Sequence, residues 1–131
     1  MESLRMWTKI PAAPERVYTA WMSADEHTAF TGGAATMDPV VGGRFTAWDG
    51  YISGKNLELE PYHRIVQAWR TTEFPEGSAD SWLEILLQPV EGGTRLTLIQ
   101  NHVPAGQSAT YKQGWRDYYF SPMKTYFKRN G

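Results

Sequence analysis

Between Ala34 and Val103 apolar and polar residues alternate with a period of two, and glycine- and proline-bearing turns cut the alternation into segments of strand length. Successive side chains of a pleated strand point to opposite faces, so such a region folds as an antiparallel sheet with one buried face. Gly42-Gly43-Arg44-Phe45-Thr46-Ala47-Trp48 reads as a strand. Asp49-Gly50 is a tight hairpin turn into residues 51–59, where Gly54 marks a bulge or a bend. Pro61-Tyr62-His63 turns the chain into residues 64–70, and 74–78 form a loop. Residues 81–88 and 94–100 make a further hairpin around Glu91-Gly92-Gly93. Serial hairpins of this kind build a meander.

The flanks read differently. Leu4, Met6, Thr8 and Ile10 fall on one face of an N-terminal strand that Pro11 ends. Residues 14–22 predict a helix, with Pro14 in its first turn and Val17, Ala20 and Trp21 on one face. Ser23 caps a second short helix, Glu26 completes a capping box, and Gly32-Gly33 stop it. His27 is expected on an exposed part of that capped turn. Residues 108–128 predict the longest helix, with Tyr111, Trp115, Tyr119, Pro122 or Met123, and Tyr126 on an aromatic inner face. Pro122 should kink this helix or end it early, and Gly114 offers close backbone approach. The expected fold is α+β in one domain over residues 1–131. A curved antiparallel sheet of six or seven strands and two short helices after the first strand are covered by a long C-terminal helix.

Several function classes drop out on composition. No cysteine is present among the 131 residues, which excludes a disulfide scaffold, thiolate metal sites and a cysteine nucleophile. The 13 basic and 14 acidic residues balance, which argues against a nucleic-acid-binding footprint, and no nucleic-acid partner is expected. No apolar run approaches a transmembrane length, and the N-terminus MESLRMWTKIP lacks a signal-peptide h-region, so the cytoplasm is the expected compartment. His27, His63 and His102 stand at no metal-binding spacing, and there is neither a G-x-S-x-G elbow nor a phosphate loop. No metal, cofactor or catalytic residue is assigned.

Aromatic residues make up 14% of the chain, enough to line a cavity between sheet and helix. The alternation turns Leu83, Ile85, Leu96 and Leu98 inward, and with them Gln67, Trp69, Gln100 and His102. Gln67, Gln100 and His102 are then polar groups on an apolar surface. They either bond to backbone, buried water or tyrosine hydroxyls, or they orient the polar head of a ligand. The expected cavity lining is Phe45, Gln67, Trp69, Leu83, Ile85, Leu96, Leu98, His102, Trp115 and Tyr119. Trp82 and Leu86 on the outer sheet face, with Trp48 and Tyr51 beside the Asp49-Gly50 turn, form a candidate surface for a protein partner. Lys112, Arg116, Lys124, Lys128 and Arg129 give the last helix a basic flank, read as a solvated face.

Pro14-Glu15-Arg16-Val17-Tyr18, Gly42-Gly43-Arg44-Phe45, Trp48-Asp49-Gly50-Tyr51-Ile52-Ser53-Gly54 and residues 65–70 occur in a characteristic order. Pro104-Ala105, Gln113-Gly114-Trp115 and Tyr118-Tyr119-Phe120 follow. From about Ile10 to Phe127 the chain resembles the C-terminal domain of the activators of heat-shock protein 90 ATPase, within the START/Bet v 1-like helix-grip superfamily. The resemblance implies the helix-grip fold. The eukaryotic activator carries a separate N-terminal domain that supplies much of its chaperone binding, and 131 residues leave no room for it. The first functional expectation is therefore non-enzymatic binding of a small apolar or amphipathic molecule in the cavity. The alternative is a co-chaperone-like contact that stimulates a heat-shock ATPase. The third is a cyclase- or hydratase-type enzyme with His102 as acid or base, since relatives of this fold include such activities.

Overall fold

The structure is a computed structural model and describes Met1–Asn130. Strand β1 (Glu2–Ile10) is followed by α1 (Pro14–Trp21) and α2 (Ala24–Thr31). Then come β2 (Thr36–Met37), β3 (Arg44–Ala47), β4 (Ile52–Glu60), β5 (Arg64–Thr71), β6 (Ser81–Val90) and β7 (Gly93–Val103). The C-terminal helix runs as α3 (Ser108–Trp115), a π-helical turn (Arg116–Phe120) and α4 (Ser121–Asn130). The seven strands form one antiparallel sheet in the order β1-β7-β6-β5-β4-β3-β2, so β2 to β7 are a meander and β1 closes beside β7. This is the α+β architecture that the alternation predicts.

Local signals account for the elements. Ser23 Oγ accepts the Glu26 N–H at 3.3 Å, and Gly32 ends α2 with a left-handed φ of 89°. Gly54 serves close approach: a Cβ there would lie 1.8 Å from the Ala68 carbonyl oxygen across the β4–β5 pair and 2.8 Å from Phe45. The irregularity in that pair falls two residues later, between Asn56 and Glu58. One face of the sheet carries Met6, Ile10, Ile65, Trp69, Leu83, Ile85, Leu96 and Leu98 into the core, and the C-terminal helix lies against it with Tyr111, Trp115, Tyr119, Met123 and Phe127. α1 packs against β6 and β7, and α2 against the π turn and α4.

The helix departs from its predicted stripe at one place. Of the two alternatives Pro122 and Met123 it is Met123 that is buried, Tyr119 and Phe120 are both buried, and beyond them Phe127 is buried where the expected Tyr126 is half-buried. Pro122 has no N–H for the Tyr118 carbonyl, and the Ser121 N–H reaches back to the Arg116 carbonyl instead. The wider turn preserves contact. At 3.6 residues per turn a side chain drifts by about 40° every four residues. The wide turn offsets part of that drift, so residues spaced by four from 111 to 127 stay on the sheet.

His102 is a second departure. The β1–β7 register passes from Leu4 opposite Gln100 to Glu2 opposite Val103, which puts one extra residue into β7. His102 takes a left-handed φ of 60° there and is exposed, while Val103 fills the inward position. The expectation that His102 continues the inner face is therefore wrong, because a bulge reverses the parity of every residue beyond it.

Candidate functional site

A cavity of about 330 Å³ opens between the C-terminal helix and the β3–β4 end of the sheet. The sheet side contributes Trp48, Tyr51, Ile52 and Trp69, and the helix contributes Thr110, Tyr111, Gly114, Trp115, Tyr118 and Tyr119. Seven of these ten residues are aromatic.

Trp115 is the pivot. Its ring lies 5.4 Å from Trp69, 4.8 Å from Tyr119 and 6.4 Å from Trp21. Its indole N–H donates to Gln100 Oε1 at 2.9 Å, Gln100 Nε2 donates to Ser81 Oγ at 3.0 Å, and Ser81 Oγ donates to the Trp69 carbonyl at 2.7 Å. This buried relay ties both tryptophan walls to the sheet. Gln100 is thereby satisfied inside the protein.

Trp48 enters from an unusual turn. Trp48, Asp49 and Gly50 all have positive φ, at 52°, 58° and 89°. The hairpin from Ala47 to Ile52 is thus a four-residue connection rather than a two-residue Asp-Gly turn. A left-handed tryptophan costs about 1–2 kcal/mol. Backbone and side chain of Asp49 hold the turn in place: the Asp49 N–H donates to the Ala34 carbonyl, and Asp49 Oδ1 accepts the Ala34 N–H, both at 3.0 Å. Gly33 lets the ring close down, since a Cβ there would sit 2.7 Å from Trp48 Cε3. Trp48 meets Tyr118 edge to face at 5.6 Å across the cavity mouth. Its indole N–H is buried and has no hydrogen-bond partner among the described residues.

The rim is polar. Tyr51 donates its hydroxyl to the Glu73 carboxylate, and partial burial with that bond pushes the Tyr51 hydroxyl up to about 12. The Tyr111 hydroxyl donates to Gln107 Oε1 and accepts from Thr71 Oγ1, both at 2.6 Å. Gln107 Nε2 donates to the Glu73 carbonyl at 2.9 Å. These bonds brace the tyrosines around the opening.

Three of the ten expected lining residues, Trp69, Trp115 and Tyr119, do line this cavity. Phe45, Leu83, Ile85, Leu96 and Leu98 are buried in the close-packed core and do not reach it. Gln67 is 1% exposed and donates to Asn56 Oδ1 at 2.9 Å; Asn56 Nδ2 in turn holds the Asp38 and Val40 carbonyls. Its polarity serves the core. His102 lies outside, on the bulge, which removes it as a lining residue and as an acid or base within the cavity. Trp48 and Tyr51, expected on a partner surface, line the cavity, because the left-handed turn folds the hairpin tip over it. Trp82 is 40% exposed on the outer face and Leu86 is half-buried beside it, as the alternation predicts.

His27 also departs from expectation, since it is buried. Its Nδ1 lies 3.0 Å from the Trp21 carbonyl and its Nε2 2.8 Å from the Tyr119 hydroxyl. A carbonyl only accepts, so Nδ1 carries the proton and Nε2 accepts from Tyr119. Burial drives the imidazole down to about 4, against a weaker opposing effect of the Trp21 carbonyl, and drives the Tyr119 hydroxyl far up. Both are neutral at physiological pH and act as a strut behind the cavity wall. Among the described residues no three ligating side chains converge as a metal site, and no helix is long and apolar enough to cross a membrane.

Residues 11–128 match the family model described as Activator of Hsp90 ATPase homolog 1-like protein. The human Activator of 90 kDa heat shock protein ATPase homolog 1 is 32% identical over 115 residues, which are 88% of this chain and 34% of that protein. The chain thus spans about a third of the length of the curated relatives it matches. The crystal structure of an HSP90 activator from Plasmodium falciparum superposes with a TM-score of 0.89 at 26% identity, covering 98% of this chain and 97% of that one. The solution structure of the Aha1 dimer from Colwellia psychrerythraea has a TM-score of 0.82 at 19% identity over the whole of both chains, a likeness of fold.

Proposed function

This chain belongs to the Activator of Hsp90 ATPase homolog 1-like family, and on that premise we propose that it binds an Hsp90-type chaperone and raises its ATP turnover. One observation carries the reading. This chain, which matches about a third of the human activator, superposes over nearly its whole length on a Plasmodium structure described as an HSP90 activator. Such a contact belongs in the cytoplasm. The test is ATP hydrolysis by a purified Hsp90-type chaperone with and without this chain. A rise in turnover that saturates with added chain is expected. Unchanged turnover up to about 100 μM of added chain, the range of weak association, overturns the reading.

A second, compatible reading is favoured by the cavity. A non-enzymatic site for a small apolar or amphipathic molecule is supported by its aromatic walls, its polar rim and the strained turn that presents Trp48 with an unpartnered indole N–H. Its volume of about 330 Å³ suits a small ligand. The probe panel is fatty acids, sterols and flat aromatic polyketides, titrated in two-dimensional amide NMR. Shifts at Trp48, Trp69 and Trp115 are expected. A Cβ at Gly114 would meet only Tyr118 Cδ2, at 3.9 Å, an ordinary van der Waals contact. The Gly114→Leu variant should therefore keep or gain up to about 1 kcal/mol of stability from helix propensity while losing the shifts. Full binding by that variant would exclude this cavity.

A further inference from the structure

A second groove, of about 470 Å³, lies on the other side of the C-terminal helix, between that helix and β1. β1 is an edge strand: it pairs with β7 and has no strand on its other side. The groove is lined by Arg5 and Trp7 from the strand and by Lys112, Arg116 and Lys124 from one side of the helix, over a floor that includes Phe120. Among the described residues no carboxylate lines it.

The charge is uncompensated. Arg16, Arg64 and Arg70 each make an ion pair, but Arg5, Lys112, Arg116 and Lys124 make none among the described residues. The nearest carboxylates in sequence are engaged elsewhere. Glu2 accepts the backbone N–H groups of Gly106 and Ser108, and Asp117 accepts from Gln113. In a chain of net charge −1, this one groove gathers four free cations. Trp7 lies beside Arg5 on the outer face of β1 at 61% exposure, its ring held 4.5 Å beneath the Arg95 guanidinium.

Cations on an edge strand commonly serve to repel other edges. That role does not account for three more cations placed by a separate helix, nor for an exposed tryptophan beside Arg5 on the edge strand. Repulsion also acts only against a strand of the same charge. We propose that the groove binds an extended acidic segment of a partner protein, which adds to the free edge of β1 as a further strand. The segment's backbone would pair with the outward N–H and C=O groups around Arg5 and Trp7. Its acidic side chains would meet Lys112, Arg116 and Lys124 on one face and Arg5 on the other, with Trp7 as the apolar anchor. The helix stretch from Lys112 to Lys124 spans about 18 Å, which an extended strand covers in about five or six residues. The backbone edge is what favours a peptide over a nucleic acid, since only a polypeptide can continue the ladder. The inference stands apart from the chaperone reading, because the probe below contains no chaperone.

The probe is a fluorescein-labelled dodecapeptide of alternating Glu and Val, followed by anisotropy and by amide NMR of the full chain. Binding is expected, with shifts and slowed exchange concentrated at Arg5, Met6, Trp7 and Thr8. Raising the salt from about 50 to 300 mM should weaken it severalfold. All four cations are exposed, so the Arg5→Glu, Lys112→Glu, Arg116→Glu, Lys124→Glu variant should fold, which circular dichroism checks, and lose roughly tenfold or more in affinity. Trp7→Ser should weaken binding without altering the salt dependence. No binding at millimolar peptide overturns the proposal. So do equal affinity in the charge-reversed variant, shifts confined to the Trp48–Trp115 cavity, or tighter binding of a single-stranded oligonucleotide than of the peptide.

Discussion

His27 illustrates how a single side chain changes role with its surroundings. In sequence it follows Asp25 and Glu26 in a capped turn, and nothing local marks it as buried. In the fold it bridges α2 to the π turn through Tyr119, inside a ring of Trp21, Phe30 and Tyr119. Its imidazole titrates near 4 when folded and near 6.5 when unfolded, so the unfolded chain binds the extra proton between those values. Stability from this residue is complete above pH 6.5 and falls as the pH drops toward 4, by about 3 kcal/mol over the full window. The thermal midpoint of the native protein should decline over that range, and a His27→Gln variant should lack the decline. Identical slopes in the two proteins would assign the effect to another group. The same residue scale explains Gln67 and Gln100. Their inward direction is legible from alternation, but their partners Asn56, Ser81 and Trp115 come from other strands and the helix.

The strands and helices themselves follow closely from local pattern. Period two, the Ser23 cap and the Gly32 stop require no knowledge of the fold. What the pattern misses are insertions that change parity: the extra residue of β7 that turns His102 outward and the wide turn before Pro122 that hands the inner face from Tyr126 to Phe127. Both add length to one element to suit a partner, so neither has a signal in its own segment beyond the proline. The β4–β5 pair gives a test of close approach. Gly54→Ala would drive a Cβ to 1.8 Å from the Ala68 carbonyl oxygen, and the two strands would have to part. The expected loss is about 3 kcal/mol in denaturant unfolding. A change below about 0.5 kcal/mol, the range of an ordinary surface substitution, would mean that the strands separate easily at this point.

At the scale of the whole molecule, distant parts of the chain are joined by a few polar contacts. Glu2 on β1 caps the start of α3 more than a hundred residues away, and the Ser108 hydroxyl with the N–H groups of Gly106 and Ser108 holds its carboxylate down to about 2. A depressed carboxylate stabilises above its unfolded value and loses that contribution as the pH falls from about 4.5 to 2. Glu2→Ala should lower the thermal midpoint at pH 7, and the difference from the native protein should close by pH 2. A gap that persists at pH 2 would show that the carboxylate charge is not the cause. The balanced total charge conceals the sorting of four free cations into the β1 groove, because composition counts charges and only the fold says which ones neighbour each other. By itself the sequence determined the meander, the two short helices, the aromatic covering helix and the family, since hydrophobic period, capping and turn chemistry act within a few residues. Only the tertiary structure decided where the cavity lies and which aromatics line it. Leu83, Ile85, Leu96 and Leu98 pack solid, whereas Trp48 and Tyr51 fold over the opening. An inward direction is set by the backbone of one strand, but an unfilled volume is what remains after every side chain from every element has been placed.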